Sequence, residues 1–310
     1  MRSVDCWAVL CACMTAILLT SCASQSVYMQ NLTSDGTMVK PPLFMTDDTK
    51  EGDVRVVPKV SVAARQTLVG RAHEHSNVND SGVFQVDTVM QNGTTQYFER
   101  AGVNKNSFQG RNFRWEPPRV TASVDFEYFV TKTFSVVAGA NYSSGSSRSF
   151  LGAAGGVGFS FESKNLGLRI DLGAHWSSVA YTVDYVVATK LFGESDQRVE
   201  FFRESGKSSY LNSYGAFTLN TKFKSSPIQG FLQLGINRQT LVEIERRTSF
   251  VGNSVVLQSA SFFIVTPGVF FNVAPGTRIV AGIHLADETE LLEADPGVLL
   301  SPFLQIEIGL

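Results

Sequence analysis

Residues 119–143 read RVTASVDFEYFVTKTFSVVAGANYS. In the first half, apolar side chains recur at every second position, and polar side chains such as Asp125 and Glu127 lie between them. Successive side chains of a β-strand point to opposite faces, so this period of two predicts strands with one apolar and one polar face. Residues 131–133 predict a tight turn, and the stretch therefore predicts a β-hairpin.

The same alternation recurs along most of the chain. It predicts ten strands, at 54–68, 118–131, 134–143, 147–162, 166–179, 209–223, 228–240, 259–273, 277–287 and 297–310. These segments are about 10 residues long or longer, whereas strands of soluble domains average about five or six. The pattern predicts an all-β chain with unusually long strands.

The connections between these strands alternate in length. Those at 131–133, 163–165, 225–227 and 274–276 are short, and those at 70–117, 180–208, 241–258 and 287–297 are long. Short turns on one side and long external loops on the other are typical of a transmembrane β-barrel. We therefore predict an antiparallel up-and-down barrel of ten strands over 54–310. Strand-like pieces at 84–89 and 94–98 leave twelve strands open, and eight is the smaller alternative.

Aromatic residues cluster near the predicted short turns. The cluster comprises Tyr128, Phe129, Phe134, Phe159, Phe161, Phe223, Phe231, Phe270 and Phe271. Aromatic girdles mark the two interfaces of membrane barrels, so we expect these rings to face lipid at one interface.

The amino terminus carries an export signal. Residues 6–19 are apolar but shorter than the roughly 20 residues of a transmembrane helix. Leu19-Thr20-Ser21-Cys22 follows and resembles the lipobox of bacterial lipoproteins. The resemblance implies cleavage of a signal peptide at 1–21 and acylation of Cys22. The other cysteines lie at positions 6, 11 and 13, inside the segment to be removed, so the mature chain has no disulfide, zinc cluster or Cys nucleophile.

Residues 22–53 show no sustained periodicity and contain turn-forming Asn, Asp, Gly and Pro residues. We expect an irregular, lipidated tether on the periplasmic side, where the short turns lie. The carboxyl terminus is expected on the same side, because an even number of strands returns the chain there. The lipid is then expected in the inner leaflet of the outer membrane.

Two motifs carry a second resemblance. The run Cys22…Tyr28-Met29-Gln30-Asn31…Pro41-Pro42-Leu43-Phe44…Gly52-Asp53-Val54 looks like the start of small lipid-anchored outer-membrane barrels of Bacteroidota-type bacteria, and the hairpin at 126–136 resembles theirs. This resemblance implies a location in the outer membrane. The partners it implies are outer-membrane lipid, lipopolysaccharide, and the barrel-assembly and lipoprotein-sorting machineries. The net charge of −2 makes nucleic acid an unexpected partner.

The strand registers place ten polar side chains inside the barrel: Arg65, Asp125, Glu127, Arg169, Asp171, His175, Lys222, Arg278, His284 and Glu307. Unpaired buried charges are costly, so charges of both signs are expected to pair and fill the lumen. We predict a plugged barrel with a structural or surface-interaction role. A porin-like channel for small solutes is the alternative, in which the same side chains form a selectivity lining.

Catalysis and metal binding are not expected. His175 lies near Ser177 and Ser178 in sequence, with Asp171 four residues before it, which raises the further alternative of a barrel hydrolase. His73-Glu74-His75 offers two imidazoles but no third ligand. The sequence therefore predicts neither an enzyme nor a cofactor.

Overall fold

The computed structural model describes residues 23–38, 40–46, 49–64, 67–70, 74–76, 88–91, 94–97, 113–145, 148–191, 198–223, 226–248, 252–288 and 298–310. Among these residues, no helix has the length and apolar character needed to cross a membrane. The signal peptide, Cys22, Arg65 and His73 lie outside the described residues, and so does 289–297.

The described residues form sixteen β-strands. They are β1 (Ala23–Gly36), β2 (Val54–Val62), β3 (Leu68–Gly70), β4 (Glu74–Ser76), β5 (Thr88–Gln91), β6 (Thr94–Tyr97), β7 (Phe113–Glu116), β8 (Val120–Phe129), β9 (Phe134–Ser144), β10 (Ser149–Glu162), β11 (Leu166–Leu191), β12 (Arg198–Thr221), β13 (Ile228–Thr248), β14 (Gly252–Ala274), β15 (Thr277–Glu288) and β16 (Leu299–Gly309).

Ten of these strands close into an antiparallel barrel. The order around the wall is β10-β9-β8-β2-β16-β15-β14-β13-β12-β11, and pairing of β10 with β11 closes the ring. The prediction of a ten-stranded barrel is confirmed. The twelve-strand alternative is wrong, because β5 and β6 pair only with each other in a separate two-stranded sheet. The eight-strand alternative is wrong as well.

The barrel is apolar outside and polar inside. On β8, Phe126 and Tyr128 are about half exposed, whereas Asp125 and Glu127 are buried. On β11, the outward-facing apolar positions run from Leu166 to Trp176. A membrane-spanning strand needs about 9–11 residues, so this belt matches the thickness of a bilayer. This is the pattern of a transmembrane β-barrel.

The short turns have local stabilisation. In the β8–β9 turn, the hydroxyl of Thr131 accepts hydrogen bonds from the backbone N–H groups of Thr133 and Phe134, at 3.3 and 3.1 Å. In the β14–β15 turn, Gly276 has a φ of 73°, a backbone conformation that side-chain-bearing residues rarely adopt. The predicted aromatic girdle at this end is only partly correct, because Phe129, Phe231 and Phe270 point inward and are buried.

Two segments expected as long loops are mostly paired strands. Strands β11 and β12 continue in register as far as Thr189 and Arg198, and β13 and β14 continue as far as Thr248 and Gly252. The prediction of loops at 180–208 and 241–258 was therefore wrong. Beyond the membrane both faces of a hairpin can meet water, so its sequence does not need an apolar face. We call these two extensions the long hairpins.

The segment expected as an irregular tether begins with a regular strand on the opposite side of the barrel. Strand β1 pairs with β11 from Ala23 opposite Leu191 to Gly36 opposite Val179. The last wall pair of β11 with β10 joins Trp176 to Ala153, so β1 lies beyond the wall, beside a long hairpin. The expectation that 22–53 stays on the short-turn side does not agree with this pairing.

An apolar cluster covers the barrel at its long-hairpin end. Strand β7 runs parallel to β1, and β3 pairs with β7. Trp115 of β7 and Phe262 of β14 are fully buried, with ring centroids 5.8 Å apart. Leu32 of β1 and Leu241 of β13 belong to the same buried cluster. Burial of these large side chains fixes β1 and β7 to the long hairpins, since apolar area removed from water is the main stabilising term.

Candidate functional site

The chain between β1 and β2 passes through the interior of the barrel. At the long-hairpin end, the backbone N–H of Thr37 donates to the carbonyl of Ser178, at 3.3 Å. At the other end, the hydroxyl of Thr49 donates to the carbonyl of Lys132 in the β8–β9 turn, also at 3.3 Å. The described residues between them are mostly buried. We call residues 37–50 the plug segment.

Three consecutive apolar residues anchor the plug segment. Leu43 and Met45 pack with Phe231, Phe270, Val280 and Phe303 of the wall. Phe44 points the other way and packs with Val57 and Val137. All three plug residues are at most 1% exposed. Their alternation is that of an extended chain, with wall side chains filling both sides.

Beyond the backbone bond of Thr37 to Ser178, the backbone of the plug segment bonds to wall side chains. Carboxamide nitrogens of Gln239, Gln233 and Gln305 donate to the carbonyls of Thr37, Pro42 and Leu43, at 2.6, 2.9 and 2.8 Å. Asn220 accepts from the N–H of Thr46 at 3.0 Å and donates to its carbonyl at 3.2 Å. A buried backbone group without a partner is costly, so these amides make burial of an extended segment possible.

Charged side chains form a continuous ion-pair chain beneath the plug segment. Arg169 of β11 pairs with Asp171, at 2.7 Å, and with Glu127 of β8. Arg55 of β2 lies 3.6 Å from Glu127 and 3.2 Å from Glu307 of β16, and Arg278 of β15 lies 3.8 Å from Glu307. Three guanidinium groups therefore alternate with three carboxylates, and the formal charges of the six residues cancel. This neutrality is what burial of so many charges requires.

Arg169 can reach Glu127 because small residues lie beneath it. Its guanidinium crosses the two intervening strands and contacts the hydroxyls of Ser160 on β10 and Ser135 on β9, each at 3.4 Å. A Cβ on Gly158 would collide with this guanidinium, so the crossing needs glycine there. The sequence thus leaves a groove in the wall for one long side chain.

The plug segment is docked on the ion-pair chain. The ring of Phe44 lies under the guanidinium of Arg169, with the carbon atom of the guanidinium 4.8 Å from the ring centroid, a cation–π contact. Arg55 donates to the carbonyl of Met45 at 2.6 Å, and the N–H of Met45 donates to Glu307 at 3.5 Å. The segment and the charges beneath it therefore form one unit.

Most of the lumen residues named from the sequence point inward. Asp125, Glu127, Arg169, Asp171, His175, Arg278, His284 and Glu307 are buried, and Lys222 is half-buried with its ammonium 3.3 Å from Glu162. Five of them belong to the ion-pair chain. The two histidines do not, because His175 bonds to Asn141 at 2.7 Å and His284 to Thr266 at 2.9 Å.

The sequence reasoning missed Arg55, Lys59, Lys40 and the plug segment itself. Arg55, Lys59 and Ser61 are buried at alternate positions of β2, so the period of two in that strand could have identified them. Lys40 donates to Ser61 at 3.2 Å. The run Pro41-Pro42-Leu43-Phe44-Met45 was an apolar signal within the supposed tether.

The residues of the hydrolase alternative do not assemble into a catalytic group. Asp171 is held by Arg169, and the hydroxyl of Ser177 accepts from the carboxamide of Asn212 at 2.7 Å. A base oriented by an acid and touching a nucleophile is therefore not formed by His175, Ser177 and Asp171. In the described part of the chain, no group of three or more His, Cys, Asp or Glu residues could hold a metal ion.

A cavity of about 310 Å³ remains at the short-turn end, below the plug segment. Thr46, Asn220, Lys222, Phe270 and Arg278 are among the residues that line it. It opens near the turns that contain Ser163 and Ser226. The plug segment thus occupies the middle of the lumen, and this cavity forms a vestibule at the short-turn end.

One ion pair stabilises the long hairpin of β11 and β12. Arg203 donates to both carboxylate oxygens of Asp184, at 2.6 and 2.9 Å. These hydrogen bonds lower the pKa of Asp184 and raise that of Arg203. The Arg203 side chain is 72% exposed and that of Asp184 is 27% exposed, so solvent screens the pair.

No protein-family model matches the chain, and no curated protein matches it. Several solved structures, however, match the chain. The translocator domain of the autotransporter NalP from Neisseria meningitidis is 9% identical, with 85% of this chain and 90% of that chain covered and a TM-score of 0.32. The monoaromatic hydrocarbon channel CymD is 6% identical over 84% and 89%, with a TM-score of 0.34. LpxR from Salmonella typhimurium is 8% identical over 81% and 99%, with a TM-score of 0.30.

Proposed function

We propose that this protein is an outer-membrane lipoprotein whose barrel is sealed by its own plug segment and whose role is structural or one of surface contact through the long hairpins. The plug segment is the observation that carries the proposal. Its apolar residues are buried, and the wall side chains that bond its backbone come from four different strands. A channel lining would leave such amides and guanidiniums free to meet solutes.

The outer-membrane location is supported by the barrel's surface. Exposed apolar side chains form a belt of bilayer thickness around a closed ring of strands, and such rings satisfy every backbone group within the bilayer. The export signal at 1–21 is consistent with this location. Outer-membrane lipid and lipopolysaccharide are then the immediate partners of the belt, and the barrel-assembly and lipoprotein-sorting machineries would deliver the chain.

The lipid attachment at Cys22 is tested by metabolic labelling. Cells that express the full chain are grown with a palmitate analogue, and the purified protein is examined for the label. We expect incorporation in the wild type and none in Cys22→Ala. Equal labelling of the two chains would refute acylation at Cys22, and absence of label from both would do the same.

The sealed lumen is tested against the channel alternative by conductance in planar bilayers. The purified full chain is first shown to be folded by the heat-dependent mobility in SDS gels that barrels display. We expect no steady single-channel steps from the folded wild type. Reproducible steps of fixed size, present with folded protein and lost after boiling, would refute the sealed barrel and favour the channel.

A further inference from the structure

The two ends of the plug segment lie at opposite ends of the barrel. Gly36 pairs with Val179, beyond the top of the lipid-facing belt, and Thr49 contacts Lys132 in a short turn. Gly52 then donates to the carbonyl of Phe129 at 2.8 Å, and the chain enters the first wall strand from that side. The chain therefore crosses the full height of the barrel before it begins to build the wall.

The length of the segment agrees with this crossing. From Thr37 to Thr49 there are twelve residue steps, which span at most about 40 Å in an extended chain. The apolar band of a membrane barrel is about 25 Å tall. The twelve steps therefore suffice to cross the band, with some length to spare.

We propose that β1 and the amino terminus of the mature chain lie on the outer surface of the cell. Barrels of the outer membrane place their short turns in the periplasm and their long loops outside. Strand β1 is paired with a long hairpin and packed into the apolar cluster through Leu32, so it lies with the outer loops. This inference rests on the proposed outer-membrane location and reverses the side expected for the tether.

Strand β1 also carries the amino terminus far from the bilayer. Ala23 pairs with Leu191, fifteen residues beyond Trp176, the last wall position of β11. At about 3.3 Å per residue, the hairpin places Ala23 roughly 50 Å along the strand from the edge of the wall. Strand β1 becomes part of the surface that a partner outside the cell would meet.

The experiment uses two single-cysteine substitutions on the same segment. Thr33→Cys lies at an exposed position of β1, and Lys50→Cys lies at an exposed position at the other end of the plug segment. Each full-length variant is treated with a membrane-impermeant maleimide, on intact cells and after lysis. The wild type gives the background from Cys22. Lys207→Cys on a long hairpin and Lys132→Cys in a short turn serve as controls for the two sides.

We expect intact cells to label Thr33→Cys as strongly as Lys207→Cys, and Lys50→Cys and Lys132→Cys to react only after lysis. If intact cells label Lys207→Cys but not Thr33→Cys, the inference is overturned and the proposed barrel orientation still stands. Labelling of Lys132→Cys without Lys207→Cys would instead refute the orientation itself. If Thr33→Cys fails the test of heat-dependent mobility, Ser26→Cys on the same strand replaces it.

Discussion

Arg169→Met is the most informative single perturbation of the lumen. Methionine keeps much of the length of the side chain but removes the charge. Glu127 would retain Arg55 at 3.6 Å, whereas Asp171, which is 1% exposed, would lose the guanidinium of Arg169 that pairs with it. Leaving one buried carboxylate unpaired typically costs about 3–5 kcal/mol. The loss of the cation–π contact with Phe44 adds to this cost.

The structure supplies two matched comparisons for this variant. Arg203→Met removes the same kind of arginine–aspartate pair on a long hairpin, where the arginine side chain is 72% exposed and solvent screens the charges. Arg169→Met/Asp171→Asn removes the orphaned carboxylate together with its partner. We expect a large loss of stability in Arg169→Met, no resolvable change in Arg203→Met, and partial recovery in the double variant.

The assay is urea unfolding of the full chain in lipid vesicles. At each urea concentration, the folded fraction is measured as the fraction that keeps the SDS-gel mobility of the folded barrel. The free energy of unfolding is obtained by linear extrapolation for each variant. Equal losses in Arg169→Met and Arg203→Met would refute the reasoning that burial sets the cost. Failure of the double variant to recover would show that the orphaned charge is not the source of the loss.

Three further outcomes follow from the same geometry. Phe44→Ala should lower the free energy of unfolding by about 3–5 kcal/mol, measured by the same urea assay, because the ring is fully buried in the plug segment; an unchanged value would mean that the segment is not packed there. Gly158→Ala should destabilise the barrel by about 1–3 kcal/mol by displacing Arg169, whereas Gly215→Ala, whose Cβ meets its nearest neighbour at 3.4 Å, serves as the tolerated control in that assay. The pKa of Asp184 is lowered by Arg203, so the pair should stabilise its hairpin above the ordinary Asp pKa of about 4 and lose this effect as the pH falls through the lower folded-state value. After correction for the intrinsic rate of amide exchange, the protection of the hairpin should therefore fall in acid more in the wild type than in Asp184→Asn, and identical pH profiles of protection would contradict this.

The barrel wall was predictable because membrane and lumen impose a strict period of two. Neighbouring residues such as Phe126 and Glu127 must face lipid and lumen in turn, so apolar and polar residues alternate along every wall strand. The long hairpins were missed because no such constraint acts beyond the bilayer. Thr182 and Ser205, for example, pair through their hydroxyls at 3.0 Å on an exposed surface. Hydroxyl residues are equally common in loops, so such a pair does not distinguish a hairpin from a loop in the sequence.

The plug segment was not predictable from local pattern. It is not paired along its length with a strand that would enforce a register, and most of its hydrogen-bonding partners come from distant parts of the chain. Gln305 reaches Leu43 across 262 positions, and Gln233 reaches Pro42 across 191. Seen in sequence, these glutamines are ordinary polar residues on the inner face of a strand. The sequence predicted that lumen charges of both signs would pair. It did not predict the order of the ion-pair chain, because Arg55 was not among the predicted lumen residues.

The covalent continuity of the plug segment with β2 has a mechanical consequence. A force applied to β1 at the long-hairpin end would pass along residues 37–50 and reach Val54 at the opposite end of the barrel. There β2 is paired with β8 on one side and with β16, the carboxyl-terminal strand, on the other. The paired strands β8 and β16 therefore hold the end of the plug segment in the wall. The plug segment thus couples β1 mechanically to the wall at the opposite end of the barrel.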